Sequence, residues 1–259
     1  MTATTVAPVS RIGNVAPQAL GTILITGGSS GLGAATAAAV QAAGGTPLVL
    51  DRVQPADSVA YEHVDLADSA AAAAAVDAAV EAAGGQLNGV FTAAGIDACG
   101  RLDEVSAEDW ERVIRVNLLG TAAVVRAALP YLRLSHGRVV TCASTLGIKA
   151  VSDATAYCAS KFGVVGFTRA LAAETAGEVG VTLLIPGGMH THFFDSRTEQ
   201  YKPPPDAVLN APEDVAATVV FALSQPPGCE LRELVVCSST AKARGPSPCW
   251  SLLVPFWML

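Results

Sequence analysis

The chain has 259 residues, 51% of them apolar and 15% charged, which suits one large α/β domain and argues against global disorder. Its formal charge of −7 argues against nucleic acid or an anionic membrane surface as the main partner, because both select basic faces. Six cysteines lie scattered without a C-x-x-C pair, the pattern of reduced thiols in a cytoplasmic protein; no run of eighteen apolar residues and no secretion signal is visible.

Residues 1–17 have no hydrophobic period and read as a loose arm. Beyond them, short β-branched runs alternate with alanine-rich helical segments, so one domain over residues 18–240 is expected. Such alternation implies crossovers and a mostly parallel sheet covered on both faces. The run "ILIT" leads into "GGSSGLG", where Gly27, Gly31 and Gly33 precede a helix. Missing side chains there would let backbone N–H groups approach a pyrophosphate at the positive end of the helix. The next strand, "PLVLDR", carries Asp51, twenty residues after Gly31. A carboxylate there can accept from an adenosine ribose and would repel a 2′-phosphate, whereas the guanidinium of Arg52 could pair with one. "SVAYEHV" is a third strand. Asp68 would cap a helix through Ala70–Ala75, and Gly44-Gly45 and Gly84-Gly85 would each close one.

"LNGVFTAAG" is a further strand, followed by a long helical segment containing Asn117, an unfavourable residue inside a helix unless it has a task. "GRVVTCAS" is a strand with Ser144 at its carboxyl end, thirteen residues before Tyr157. In "AYCASKFG", Tyr157 and Lys161 are four apart and share a helix face, so the ammonium is expected to lower the phenol's pKa and make proton exchange feasible. After the strand "VGVTLLIPG", residues 193–212 form a short lid stiffened by three consecutive prolines. A helix "PEDVAATVVFALS" and a strand "LRELVV" complete the domain. Residues 241–259 end in an apolar tail, expected at a subunit interface.

These motifs, over about Thr22 to Val236, resemble the classical short-chain dehydrogenases/reductases. The resemblance implies a single-domain α/β Rossmann fold with a doubly wound, seven-stranded parallel sheet. It implies Tyr157 as general acid/base, Ser144 orienting the carbonyl or alcohol, Lys161 holding the nicotinamide ribose, and Asn117 supporting a proton-relay water. Implied cofactor contacts are Gly27, Ser29, Ser30, Gly31, Leu32 and Gly33 in the turn, Asp51 and Arg52, then Asp65 and Leu66 for adenine. They continue with Ala93, Ala94 and Gly95, where Thr92 replaces the family's usual asparagine, and with Pro186, Gly187, Met189 and Thr191 beside the nicotinamide. Tyr157 and Lys161 also contact the cofactor. Asp51 and the absence of a basic residue at Ser30 favour NAD over NADP.

The expected substrate is a small alcohol or ketone, lined by Asp97, Thr145, Leu146, His190 and Phe194. The expected assembly is a homotetramer or homodimer. His190, His192 and Asp195 lack a well-spaced further ligand, so no metal is expected. The alternatives are an NADPH-dependent reductase of a carrier-bound 3-oxoacyl group and a dinucleotide-binding scaffold without turnover.

Overall fold

A computed structural model describes residues 18–56 and 58–239. The expected arm and the apolar tail lie outside the described residues. Seven strands form one sheet: β1 Thr22–Thr26, β2 Thr46–Asp51, β3 Ala60–His63, β4 Gly89–Thr92, β5 Arg138–Cys142, β6 Gly180–Pro186 and β7 Glu233–Val236. All pairings are parallel, in the order β3-β2-β1-β4-β5-β6-β7. The order reverses between β1 and β4, so their carboxyl ends open a crevice where open α/β sheets bind ligands.

Alternation along each strand divides the core. Leu24, Leu48, Leu50, Val90 and Val139 face helices α2 (Ser69–Ala82), α4 (Thr121–Ser135) and α5 (Thr155–Glu174). Ile23, Ile25, Val49, Phe91 and Val140 face α1 (Gly31–Ala42) and α6 (Pro212–Leu223). A one-residue slip of any central strand would exchange these sets, so the double burial pins the register. The edge strands β3 and β7 are only partly covered.

Local signals act as their chemistry dictates. The Asp68 carboxylate accepts from the N–H groups of Ala70 and Ala71 and starts α2. Gly44 (φ 80°) and Gly84 (φ 87°) follow the ends of α1 and α2 in the left-handed region. Helix α3 (Ala107–Ile114) runs without a break into α4 through a π-helical turn, Arg115–Gly120, which contains Asn117. Single π turns inside α-helices concentrate at functional sites. The continuous helix 107–135 is long and apolar enough, by length and composition, to cross a membrane. Its apolar face packs in the domain: Val113, Val124, Val125, Ala128 and Leu132 are buried there.

Candidate active site

The crevice at the carboxyl ends of the strands widens into a cleft of about 690 Å³. Its first wall is the turn between β1 and α1. Gly27 has φ 68°, and a Cβ there would lie 2.8 Å from Ala94 Cα. A Cβ on Gly33 would stand 2.0 Å from the Gly27 carbonyl oxygen, so the turn closes only with glycine at both positions. Ser30 at the head of α1 makes no side-chain cap bond, and no acidic residue stands in the first turn. The leading N–H groups of α1 therefore face the cleft uncapped, which fits an anion such as a pyrophosphate. Thr26 Oγ accepts from the Ala94 N–H at 3.2 Å and ties this turn to the loop after β4.

Asp51 ends β2 at one end of the cleft. One carboxylate oxygen accepts from Ser29 N–H at 3.0 Å; the other accepts from Arg52 N–H at 2.6 Å and Val53 N–H at 3.2 Å. Three bonds occupy three of its roughly four lone-pair sites and fix its direction, leaving one for a ligand hydroxyl. Ser29 stays outside the cleft lining, contrary to expectation, because its N–H serves Asp51 and its hydroxyl donates to the Val53 carbonyl. Arg52 and Arg112 both approach Asp65, at 3.6 and 2.8 Å. Burial pushes the Asp65 carboxyl up, but the Arg112 bond, the Ala67 N–H and the two guanidiniums together hold it below the usual value. Arg112 had no sequence signal: it meets Asp65 from 47 residues away.

The reactive group occupies the middle of the cleft. Ser144 ends the β5 loop, and its Oγ accepts from Leu146 N–H at 3.1 Å, which aims the hydroxyl. The Tyr157 phenol lines the same cleft, close enough for the Ser144 hydroxyl to act on it. Lys161 Nζ lies 5.6 Å from the Tyr157 ring centre and donates to the Cys142 carbonyl at 2.9 Å. The expected lowering of the phenol pKa by Lys161 is not found in the free site. Burial raises the Tyr157 pKa well above 10, Cys142 adds to the rise, and the Ser144 hydroxyl only partly offsets it. Burial also lowers the Lys161 pKa.

Asn117 is 1% exposed and outside the cleft lining. Its Nδ2 donates to the Ile96 carbonyl at 2.9 Å and to Ser160 Oγ at 3.0 Å, and its Oδ1 accepts from Ile96 N–H at 2.8 Å. It thus rivets the loop after Gly95 to α5, the helix that carries Tyr157 and Lys161.

The far wall comes from the segment after β6. Pro186, Gly187, Met189 and Thr191 line the cleft, as do Thr145, Leu146 and Phe194. A Cβ on Gly31 would lie 3.3 Å from the Thr191 side chain, so this segment closes over the turn at α1. Two residues expected at the substrate lie outside the cleft lining. His190 is exposed outside the lining, held there by a backbone bond from its N–H to the Asn210 carbonyl. Asp97 is buried behind the wall because it pairs with Arg197. Arg197, His192 and Phe193 do line the cleft, and sequence reasoning named none of them as site residues. Beside Asp97, burial and the carboxylate push the Cys99 thiol to about 11, so it stays protonated. His192 and Asp195 bond each other at 2.7 Å, and the described residues contain no group of three metal-ligating side chains.

The short chain dehydrogenase family matches this chain over residues 21–202. The chain belongs to that family. Among the dehydrogenase's curated relatives, D-threitol dehydrogenase of Mycolicibacterium smegmatis is 31% identical, covering 78% of this chain and 85% of that protein. A 2,5-dichloro-2,5-cyclohexadiene-1,4-diol dehydrogenase of Sphingobium indicum is 32% identical, covering 78% of this chain and 88% of its own. An alcohol dehydrogenase from Thermococcus sibiricus, solved with 5-hydroxy-NADP, superposes with TM-score 0.77 at 24% identity over 86% of this chain and 99% of that one. That likeness establishes the fold. The sequence match establishes an oxidoreductase family whose members bind a nicotinamide dinucleotide.

The family's usual asparagine at the end of β4 is replaced by Thr92. Its hydroxyl is buried without a partner among the described residues. The substitution therefore costs hydrogen bonding inside the sheet rather than contacts in the cleft.

Proposed function

We propose that this dehydrogenase interconverts a secondary alcohol and a ketone using NAD(H), with Tyr157 as general acid/base. The observation that carries the reading is the convergence of Ser144, Tyr157 and Lys161 in the same cleft as the uncapped α1 turn. A bound nicotinamide supplies the two-electron chemistry. The α1 turn would hold its pyrophosphate, Asp51 a ribose hydroxyl, and Asp65 with Leu66 the adenine. Lys161 has three N–H donors, of which the Cys142 carbonyl takes one, so it can hold the second ribose. Pro186, Gly187, Met189 and Thr191 would flank the nicotinamide.

Ser144 would hold the substrate oxygen while Tyr157 delivers a proton to it in reduction or removes one in oxidation. The raised phenol pKa favours the acid form, so the site is ready for reduction, and oxidation needs a local positive charge or higher pH. Asn117 acts by holding the Ile96 loop against α5. Asp51 supports NAD over NADP, since its fixed carboxylate would stand against a 2′-phosphate, and Arg52 is engaged with Asp65.

The free cysteines among the described residues support a reducing, cytoplasmic setting. Exposed Leu119 and Phe162 on adjoining helices support a homotetramer or homodimer. Truncation at residue 245 followed by mass measurement tests whether the apolar tail contributes; an unchanged assembly removes it from the interface.

The decisive experiment follows NADH absorbance with 3-hydroxy acids, cyclitols, sugar alcohols and the matching ketones. Tyr157→Phe should lose about 10²-fold or more in turnover while still binding NADH by fluorescence. Turnover close to wild type in that variant refutes the assignment.

A further inference from the structure

The cofactor assignments leave Arg197 in the cleft wall without a task. Arg197 lies between β6 and α6, and its guanidinium carbon stands 4.7 Å from the Phe194 ring centre and 5.2 Å from that of Phe193. Phe193 is in turn 5.7 Å from the Tyr157 ring, centre to centre. A single aromatic ring thus separates the guanidinium from the reacting phenol. Asp97, 6% exposed, pairs with Nη2 of Arg197 from outside the cleft lining. Nη1 donates to the Tyr201 carbonyl at 3.2 Å, and Nε is buried with no partner among the described residues.

A guanidinium offers five N–H donors in a fixed plane. Here two protein acceptors engage it and the aromatic rings cover it; Nε is buried away from the cleft, and one N–H on each of Nη1 and Nη2 is left over. A simple latch between Asp97 and Arg197 would explain the ion pair. It would not explain why the arginine lines the cleft beside the reacting group while carrying a surplus of donors. A planar anion answers both points, because a carboxylate takes two parallel N–H bonds from one guanidinium. Asp97 and Tyr201 then act as positioning groups that keep the fork from swinging into solvent.

We propose that Arg197 binds a carboxylate on the substrate, so that this dehydrogenase acts on hydroxy acids and oxo acids with a short spacer between carbinol carbon and carboxylate. The proposal rests on the alcohol–ketone reading of the same cleft. The apolar surfaces of Leu146, Met189, Phe193 and Phe194 accommodate the spacer.

The test compares kcat/KM, with NAD(H) present, for 2-, 3- and 4-hydroxy carboxylates against their methyl esters and amides. The wild type should prefer the acids by about 100-fold, as expected when a site built to bond a polar group meets an analogue lacking it. Arg197→Met should lose that preference, mainly through KM for the acids, with the esters changed by less than about 3-fold; Arg197→Lys should recover part of it. Equal use of acids and esters by the wild type, a comparison that needs no variant, overturns the proposal. So does an Arg197→Met loss of the same size for acids and esters, which would make the residue a structural latch.

If no compound in either series turns over, the oxidoreductase reading fails, and the anion site is then judged by melting temperature. Malonate and succinate should stabilise the wild type with NADH present and leave Arg197→Met unmoved. No difference between the two proteins overturns the site.

Discussion

Replacing Asn117 with leucine keeps the branched side-chain shape and deletes three hydrogen bonds: two with the Ile96 backbone and one to Ser160 Oγ. The Ser160 bond is fully buried, and the Ile96 groups regain water only if their loop lifts away. At a net ~0.5–1.5 kcal/mol each, the three bonds set an expected destabilisation of about 2–4 kcal/mol. That is a large share of the ~5–15 kcal/mol of a typical domain. The loss should appear as a lower urea midpoint with an unchanged slope, since compactness does not change. Activity should fall further than folding alone explains. A Cβ on Gly95, next to Ile96, would lie only 3.5 Å from Lys161 Nζ, so a lifted loop withdraws packing from the ammonium. Under conditions where the variant is fully folded, turnover should be down by about 10-fold or more, the scale of one lost positioning contact. A midpoint equivalent to less than about 0.5 kcal/mol of destabilisation, the level of an ordinary surface change, would refute the rivet assigned to this asparagine.

Further outcomes follow from the same site. Because burial holds the phenol pKa above 10, alcohol oxidation should climb with pH through the neutral and alkaline range, while ketone reduction should not; a flat oxidation profile from pH 6 to 10 contradicts this. The same raised pKa means the folded state keeps a proton that the unfolded chain releases. Its contribution to stability is intact below about pH 10 and fades as pH rises past that value, and Tyr157→Phe should abolish this part of the alkaline loss. Asp51→Ala removes the acceptor for three backbone N–H groups and the charge facing a 2′-phosphate, so NAD affinity should drop and the NAD:NADP preference shrink by about 10-fold, roughly one charged hydrogen bond. Unchanged titrations with both dinucleotides would contradict the role given to Asp51. Thr92→Val discards a buried, unpartnered hydroxyl at constant shape and should raise stability by about 1 kcal/mol in thermal melts; a drop in melting temperature would mean the hydroxyl has a partner.

Much of the molecule was legible in one dimension. Strand and helix periods, the glycine spacing, the Asp68 cap and the Tyr157–Lys161 offset depend on backbone dihedrals and neighbours within a turn, which local residues dictate. Together with the resemblance they were enough to anticipate the seven parallel strands and the family. The tertiary structure alone decided what depends on burial and on distant partners. It paired Asp97 with Arg197, 100 residues away, and set Arg197 in the cleft wall. It turned Asn117 inward to bond Ile96 and placed Arg112 on Asp65. It also reversed the expected direction of the Tyr157 pKa, because the desolvation that a folded core imposes on a phenol is the largest influence on it. Sequence spacing specifies which groups can meet along a helix; only packing determines how much water is left around them when they do.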